Sequence, residues 1–178
     1  MGRRIVLLRG INLGPNKRVP MAELRELFSG AGFEDVRTYV QSGNVVFKSP
    51  KSAAQLVGAI ERAISSAFGL DVTVLVRSKQ ELAKVVAGNP FAGRAAEVTH
   101  LHVTFLAAAP AAGRVRDLRA REFAPEELAV HGREVYLHCP NGYGRTKLNN
   151  AFLEKQLGVA GTTRNWRTVT TLADLAKA

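Results

Sequence analysis

The 178-residue sequence lacks several features, and each absence excludes a class of protein. Its single cysteine, Cys139, excludes an internal disulfide framework and a cysteine-rich metal site. No apolar run approaches the roughly 20 residues that a helix needs to cross a bilayer, and residues 1–10 contain no signal-peptide cleavage site. The sequence therefore predicts a soluble cytoplasmic protein with a reduced thiol.

Acidic side chains are also scarce, with 15 against 25 basic ones and a formal net charge of +10. The basic excess is present in both halves of the chain, so it does not come from a charged tail. A field of this sign attracts polyanions, which makes nucleic acids and nucleotides candidate partners. Because arginine and alanine are abundant, a compositional bias of the genome is the alternative source of the charge.

Apolar residues supply 46% of the chain, enough for one large domain or two small ones. Their periodicity in the first half predicts the order strand, helix, strand, strand, helix, strand, which is that of a ferredoxin-like α/β plait. The predicted elements are a strand at 4–8, a helix beginning after Pro20, a hairpin turning at Ser42 and Gly43, a helix ending at Gly69 and a strand at 72–77.

The same order returns in the second half, with a hairpin turning at Gly132 and Arg133 and a helix for which Thr146 is a suitable N-cap. The closing strand is the weak point, since residues 158–166 are short and polar. We expect an α+β fold of two consecutive ferredoxin-like (βαββαβ) subdomains with antiparallel sheets and a C-terminal helix. Their predicted limits are 1–90 and 98–178.

This topology predicts a polar rim on the first subdomain. The first two strands of a plait run parallel, so the end of strand one lies at the same sheet edge as the turn between strands two and three. The first helix begins at that edge, and its N–H groups and positive dipole end favour an anion there. The residues expected to meet are Arg9, Gly10, Asn12, Gln41, Ser42, Gly43 and Asn44, with Lys17 and Arg18 before the helix.

The loop at residues 9–17, RGINLGPNK, does not match a known phosphate-binding motif. A Walker loop has four residues between its glycines, whereas three separate Gly10 from Gly14, and Pro15 removes a backbone donor. A dinucleotide fingerprint would need a third glycine. Two alternatives stay open: Arg9 or Lys17 contacts a phosphate or carboxylate, or the glycines only permit a tight turn in which Asn12 caps the backbone.

A second glycine-rich stretch, CPNGYGRTKLNN, covers residues 139–150. Arg145 and Lys147 follow its glycines and precede a predicted helix, which is a suitable arrangement for an anion pocket. The alternative is a solvated connection with no ligand.

A third stretch, TTRNWRT, covers residues 162–168 at the start of the last predicted helix. Thr163 or Asn165 is a suitable cap for that helix, and Arg164 is expected within its first turn. Arginines beside Trp166 are compatible with a base-stacking platform. The favoured alternative is a tryptophan that anchors the helix in the core.

No sequence motif indicates catalysis or a metal. His102 and His138 are expected on neighbouring strands, but only Glu134 or His131 is available as a third ligand and no ligand spacing is recognisable. His138 and Cys139 are adjacent on a strand and point to opposite faces, so they cannot form a dyad. We predict no metal and no cofactor, and we leave enzymatic activity open.

Six motifs resemble a bacterial family known as domain of unknown function 1697: LLRGIN, VPMAELRELF, GFEDVRTYVQSGNVVF, CPNGYGRTKL, LEKQLG and TTRNWRTV. They extend from Leu7 to about Leu172 in the family's order. The family usually continues RGINVGGKNKV, whereas Pro15 here leaves a stiffer loop with one donor fewer. The resemblance implies two α/β plait subdomains and a shared functional surface of polar loops, but no activity or cofactor.

Together these observations favour a protein that binds an anionic ligand, a nucleotide or nucleic-acid phosphate, through polar loops. The first alternative is an enzyme that acts on a phosphorylated or carboxylated small molecule in a cleft between the subdomains. The second is an interaction module or homo-oligomer. The predicted ligand-binding residues are Arg9, Asn12, Lys17, Gln41, Ser42, Asn44, Arg145, Lys147, Arg164, Asn165 and Trp166.

Overall fold

A computed structural model describes residues 1–15, 18–95 and 97–178. The chain divides into two compact units, Met1–Lys84 with Thr171–Ala178, and Val85–Thr170. The domain limits expected from the sequence, 1–90 and 98–178, stay a prediction. Among the described residues, no helix is long and apolar enough to cross a membrane.

The first unit contains one antiparallel sheet of four strands, in the spatial order β2-β3-β1-β4. Helix α3 begins in this unit and continues into the second. In chain order the elements are β1 (Gly2–Leu8), α1 (Met21–Gly30), β2 (Glu34–Tyr39), β3 (Asn44–Ser49), α2 (Ala53–Phe68), β4 (Val74–Ser78) and α3 (Lys79–Ala87).

The second unit repeats this arrangement, with the spatial order β6-β7-β5-β8 in a second antiparallel sheet. The expected mixed α+β architecture, with two four-stranded antiparallel sheets and a C-terminal helix, is confirmed. The elements are β5 (Leu101–Leu106), α4 (Ala112–Arg119), β6 (Glu127–His131), β7 (Glu134–His138), α5 (Asn150–Leu157), β8 (Gly161–Asn165) and α6 (Trp166–Lys177), with short 3₁₀ helices at Val98–His100 and Tyr143–Arg145. The part of α6 from Thr171 onward belongs to the first unit.

An aromatic cluster lies in the core of the first unit. The rings of Phe33 and Phe47 stack with their centroids 4.5 Å apart, and Phe28 meets both rings edge to face. All three side chains are buried among aliphatic residues of β1, β3, β4 and α2. Burying this much apolar surface is what holds α1 and α2 to the sheet.

Local signals begin and end α2, and the sequence analysis predicted the second of them, Gly69. Ser52 and Gln55 form a reciprocal capping box at its start, and Gly69 takes a left-handed conformation (φ 66°) at its end. In α5, by contrast, the N-cap is Asn149, which accepts from the N–H of Phe152 at 2.9 Å, and not Thr146. Thr146 lies before the helix, and its hydroxyl donates to Glu126.

The weakly predicted closing strand, β8, is complete. It pairs with β5 from His102↔Asn165 to Leu106↔Gly161. The hydroxyls of Thr104 and Thr163 lie 2.7 Å apart across this pair, and Thr163 also donates to Asn150. This strand can contain polar residues because hydrogen bonds between side chains satisfy their buried polar groups.

Candidate functional site

The predicted rim forms on the first unit. The N–H of Leu8, at the end of β1, donates to the carbonyl of Gly43 in the β2–β3 turn at 2.9 Å. The side chain of Asn12 donates to the carbonyl of Gln41 at 2.6 Å. Residues near positions 9 and 43 therefore share one edge of the sheet, as the strand order predicts.

Asn12 is fully occupied in fastening this rim. Its amide nitrogen donates to the carbonyls of Gln41 and Val19, and its oxygen accepts from the N–H of Val19 at 2.7 Å. These bonds join the loop after β1 to the turn and to the segment before α1. Asn12 therefore shapes the rim and has little hydrogen-bonding capacity left for a ligand.

Asn44 has a similar structural role in the β2–β3 turn. It is completely buried, and its amide donates to the carbonyl of Tyr39 and to the hydroxyl of Ser42, both at 2.9 Å. Gln41 lies at the top of the same turn with its side chain exposed. Of the turn residues predicted to bind a ligand, Gln41 is the one whose side chain faces solvent most.

Backbone strain is concentrated at this rim. Gly10, Asn12, Val40 and Gly43 all have positive φ, between 49° and 85°. Val40 is β-branched, and its φ of 49° is a genuine outlier for such a residue. Strain of this kind persists only where surrounding structure enforces it, and it clusters at functional sites.

The rim also exposes apolar side chains and lines a cavity that is open to solvent. Leu13 is 84% exposed to solvent and Val40 is 47% exposed. Neither is needed in the core, so core packing does not explain why these two positions are apolar. The cavity, of about 580 Å³, lies beside Leu13, and Gln41, the neighbour of Val40 in the chain, also lines it. Its lining comprises Asn12, Leu13, Gly14, Pro15, Arg18, Val19, Pro20 and Gln41.

Two sources of positive potential meet at this cavity. The N-cap of α1 is Pro20, which makes no side-chain capping bond, so within the described residues no N-cap side chain satisfies the first N–H groups of the helix. The exposed Arg18 lies two residues before it and also lines the cavity. A helix N-terminus and a guanidinium favour the same charge, so the cavity is suited to an anion.

The structure gives less information on the other two basic residues of this loop, Arg9 and Lys17. Arg9 follows β1, where its N–H donates to Thr73 at 3.0 Å, and its side chain is half-buried. Lys17 lies outside the described residues. Arg18 was absent from the residues predicted to bind, although its position before Pro20 already placed it at the helix start.

The second unit shows that the fold does not require this polar loop. There, the backbone N–H of Leu106 donates to the carbonyl of Arg133, and that of Ala107 donates to the carbonyl of Ala160. These two bonds correspond to those that the N–H groups of Leu8 and Arg9 make in the first unit. Yet residues 107–111, Ala-Ala-Ala-Pro-Ala, suffice to connect β5 with α4. The longer loop at 9–20 therefore exceeds what is needed to join a strand to a helix in this fold, since alanine and proline alone make the equivalent connection in the second unit.

Arg164 lies in β8 and not in the first turn of α6, where it was expected. It is 7% exposed, and burial lowers its pKa to about 10. Its guanidinium donates to the carbonyl of the preceding Thr163 at 3.1 Å, as that of the buried Arg77 in β4 does to Val76. The two arginines hold equivalent positions in the two sheets, which indicates a structural role.

The other two residues of this stretch are committed to α6. Asn165 caps it by accepting from the N–H of Thr168 at 2.8 Å. Trp166 is only 8% exposed, which agrees with the core-anchor alternative and leaves little ring surface for a base. Arg145 and Lys147 are exposed and line a separate cavity of the second unit.

The histidines are not arranged as expected. His138 pairs with Leu101, so His102 projects from the opposite face, where its ring stacks on Tyr143 at 4.6 Å. A register that differs by one residue reverses the face of every side chain. Nδ1 of His138 instead lies 3.4 Å from Oε1 of Glu127. Burial lowers the pKa of His102 below its ordinary value. Among the described residues, no three metal-binding side chains cluster.

Cys139 is completely buried in the core of the second unit, and burial raises its thiol pKa to about 11. Because the thiolate is the reactive form, we expect iodoacetamide to leave native Cys139 unmodified at neutral pH and to alkylate it in urea. Mass spectrometry after a short pulse checks this. Alkylation in native protein as fast as in urea would contradict the burial.

Comparisons with known proteins identify a family and a similar overall structure. The family model described as "Protein of unknown function (DUF1697)" matches residues 1–136. The solved structure of the conserved bacterial protein SP0830 from Streptococcus pneumoniae is similar, with a TM-score of 0.80 and 26% identity. The match covers 100% of this chain and 99% of that one. No curated protein matches the chain.

Proposed function

This chain belongs to the family described as protein of unknown function (DUF1697), and from the geometry of the chain itself we propose that the rim of the first unit binds an anionic, phosphate-containing ligand. The observation that carries the proposal is the cavity of about 580 Å³ at the uncapped start of α1. Its volume lies within the range of about 300–1,000 Å³ that small ligands occupy. A nucleotide, free or within a nucleic acid, is the ligand class proposed.

Three properties of the rim support this ligand class. Arg18 and the helix start supply charge and N–H donors for a phosphate. Leu13 and Val40 supply exposed apolar surface that is suited to the apolar part of a nucleoside. The net charge of +10 assists the approach of any polyanion.

The fold and the cellular location belong to the same proposal. Each unit has the element order βαββαβ and a central β1 or β5 strand between its neighbours, which supports two ferredoxin-like subdomains. The buried reduced thiol of Cys139 suits the cytoplasm, where nucleotides and RNA are available.

Replacing Arg18 with alanine tests the site. We expect the variant to bind nucleoside phosphates and a short single-stranded RNA about tenfold more weakly, because it loses a charge-assisted contact worth about 1.4 kcal/mol. Fluorescence titrations at low and physiological salt measure this, and the salt dependence of binding should also decrease.

The matched control is Arg62→Ala on α2, which removes the same charge from an exposed position away from the cavity. It should change the affinity less than twofold. Equal losses in the two variants would show that only the overall charge attracts the ligand, and the proposed site would be wrong.

A further inference from the structure

A second cavity, of about 480 Å³, lies entirely within the second unit. Two segments form its walls: residues 122–126, which follow α4, and residues 141–147, which follow β7. The two walls differ in charge. The first carries Glu122 and Glu126, whereas the second carries Arg145 and Lys147.

The cavity is built into the fold before any ligand arrives. The carboxylate of Glu126 accepts from the hydroxyl of Thr146 and from the N–H of Lys147, so the two walls are bonded to each other. Phe123 is held by an edge-to-face contact with Phe152, with ring centroids 5.8 Å apart. Walls fixed in this way reduce the entropy lost when a ligand binds.

Its remaining charged groups have no partner among the residues that the structure describes. Within the described ranges, the side chains of Glu122, Arg145 and Lys147 make no hydrogen bond or ion pair, and all three are exposed. Phe123 and Pro125 add apolar surface to the first wall. The cavity therefore combines a free carboxylate, two free cations and an apolar surface.

We propose that this cavity binds a zwitterionic ligand, a short peptide or amino-acid derivative with an amine at one end and a carboxylate or phosphate at the other. The amine lies toward Glu122 and Glu126, and the anionic end contacts Arg145 and Lys147. The apolar part of the ligand covers Phe123. This proposal does not depend on the rim of the first unit.

The carboxylates are the reason for choosing a zwitterion over a polyanion. A nucleic-acid strand brings negative charge along its whole length, and Glu122 and Glu126 would repel it. A ligand of opposite charges at its two ends satisfies both walls at once. A ligand that carries only positive or only negative charge can pair with only one of the two walls.

The experiment compares alanyl-phenylalanine with its N-acetyl and C-terminal amide forms, by calorimetric titration of the full chain. We expect the zwitterion to bind at least tenfold more tightly than either blocked form. Phosphoethanolamine, a zwitterion with a phosphate, is the arm that distinguishes a phosphate end from a carboxylate end. No binding of any zwitterion at millimolar concentration would overturn the proposal.

Variants assign the ends of the ligand. Arg145→Ala should weaken the free dipeptide at least fivefold and leave the amide form unchanged, whereas Glu122→Gln should weaken the dipeptide and leave the N-acetyl form unchanged. Arg116→Ala on α4 is the control for an exposed arginine away from the cavity, and Arg18→Ala for the rim. Binding that ignores the first two substitutions, or that falls equally in the controls, would refute the site.

Discussion

Replacing Gly43 with alanine is expected to lower the free energy of unfolding by about 3 kcal/mol, in two parts. At a φ of 85° any L-residue with a Cβ is strained by about 1 kcal/mol. The new Cβ would also lie 2.6 Å from Cδ1 of Ile11 and 2.9 Å from Cβ of Leu8. Both neighbours are buried, so relieving the overlap costs about 2 kcal/mol more.

Gly10→Ala in the same rim separates these two parts. Gly10 has a φ of 72°, but a Cβ there would meet nothing within 4 Å. Its cost should therefore be the conformational one alone, about 1 kcal/mol. Urea unfolding of the two variants measures the difference. Equal losses would mean that Gly43 is not packed against Ile11 and that the rim is looser than described.

Asn12→Asp is expected to be the second severe change, with a loss of about 3 kcal/mol at neutral pH. One carboxylate oxygen can still accept from the N–H of Val19, but the other would face the carbonyls of Val19 and Gln41, which now receive a hydrogen bond. Two hydrogen bonds are lost, and a charge is placed against two acceptors.

The pH dependence of this variant has a definite sign. Facing two carbonyls raises the pKa of the introduced carboxyl group in the folded state above its unfolded value, near 3.9. Below that value the protonated group donates again, so the deficit relative to wild type should be smallest in acid and grow as pH rises through the folded pKa. Chemical unfolding at several pH values measures it.

Asn141→Asp is the matched control, because it adds the same charge to an exposed loop residue without such partners. It should alter stability by no more than about 0.5 kcal/mol at any pH. A deficit in Asn12→Asp that is independent of pH would show that the two carbonyls are not the cause.

The predictability of the candidate site can be judged from particular residues. The meeting of the end of β1 with the β2–β3 turn, seen in the bond between Leu8 and Gly43, followed from element order alone, because parallel first and second strands bring these positions to one edge. The structural roles of Asn12 and Trp166 followed only as the favoured one of two alternatives, although both residues also stood among those predicted to bind a ligand. A loop asparagine that binds a ligand and one that fastens its own loop have the same local sequence, and only the positions of Val19 and Gln41 distinguish them.

The sequence by itself determined the order and kind of the elements, the two hairpin turns and the charge excess, since each depends on residues that are near one another in the chain. Tertiary structure alone decided the strand register that separates His102 from His138, the hydrogen bonds that complete β8 and the formation of the two cavities. These depend on contacts between distant segments. Such contacts are selected by packing and hydrogen bonding of the whole unit, which no local pattern contains.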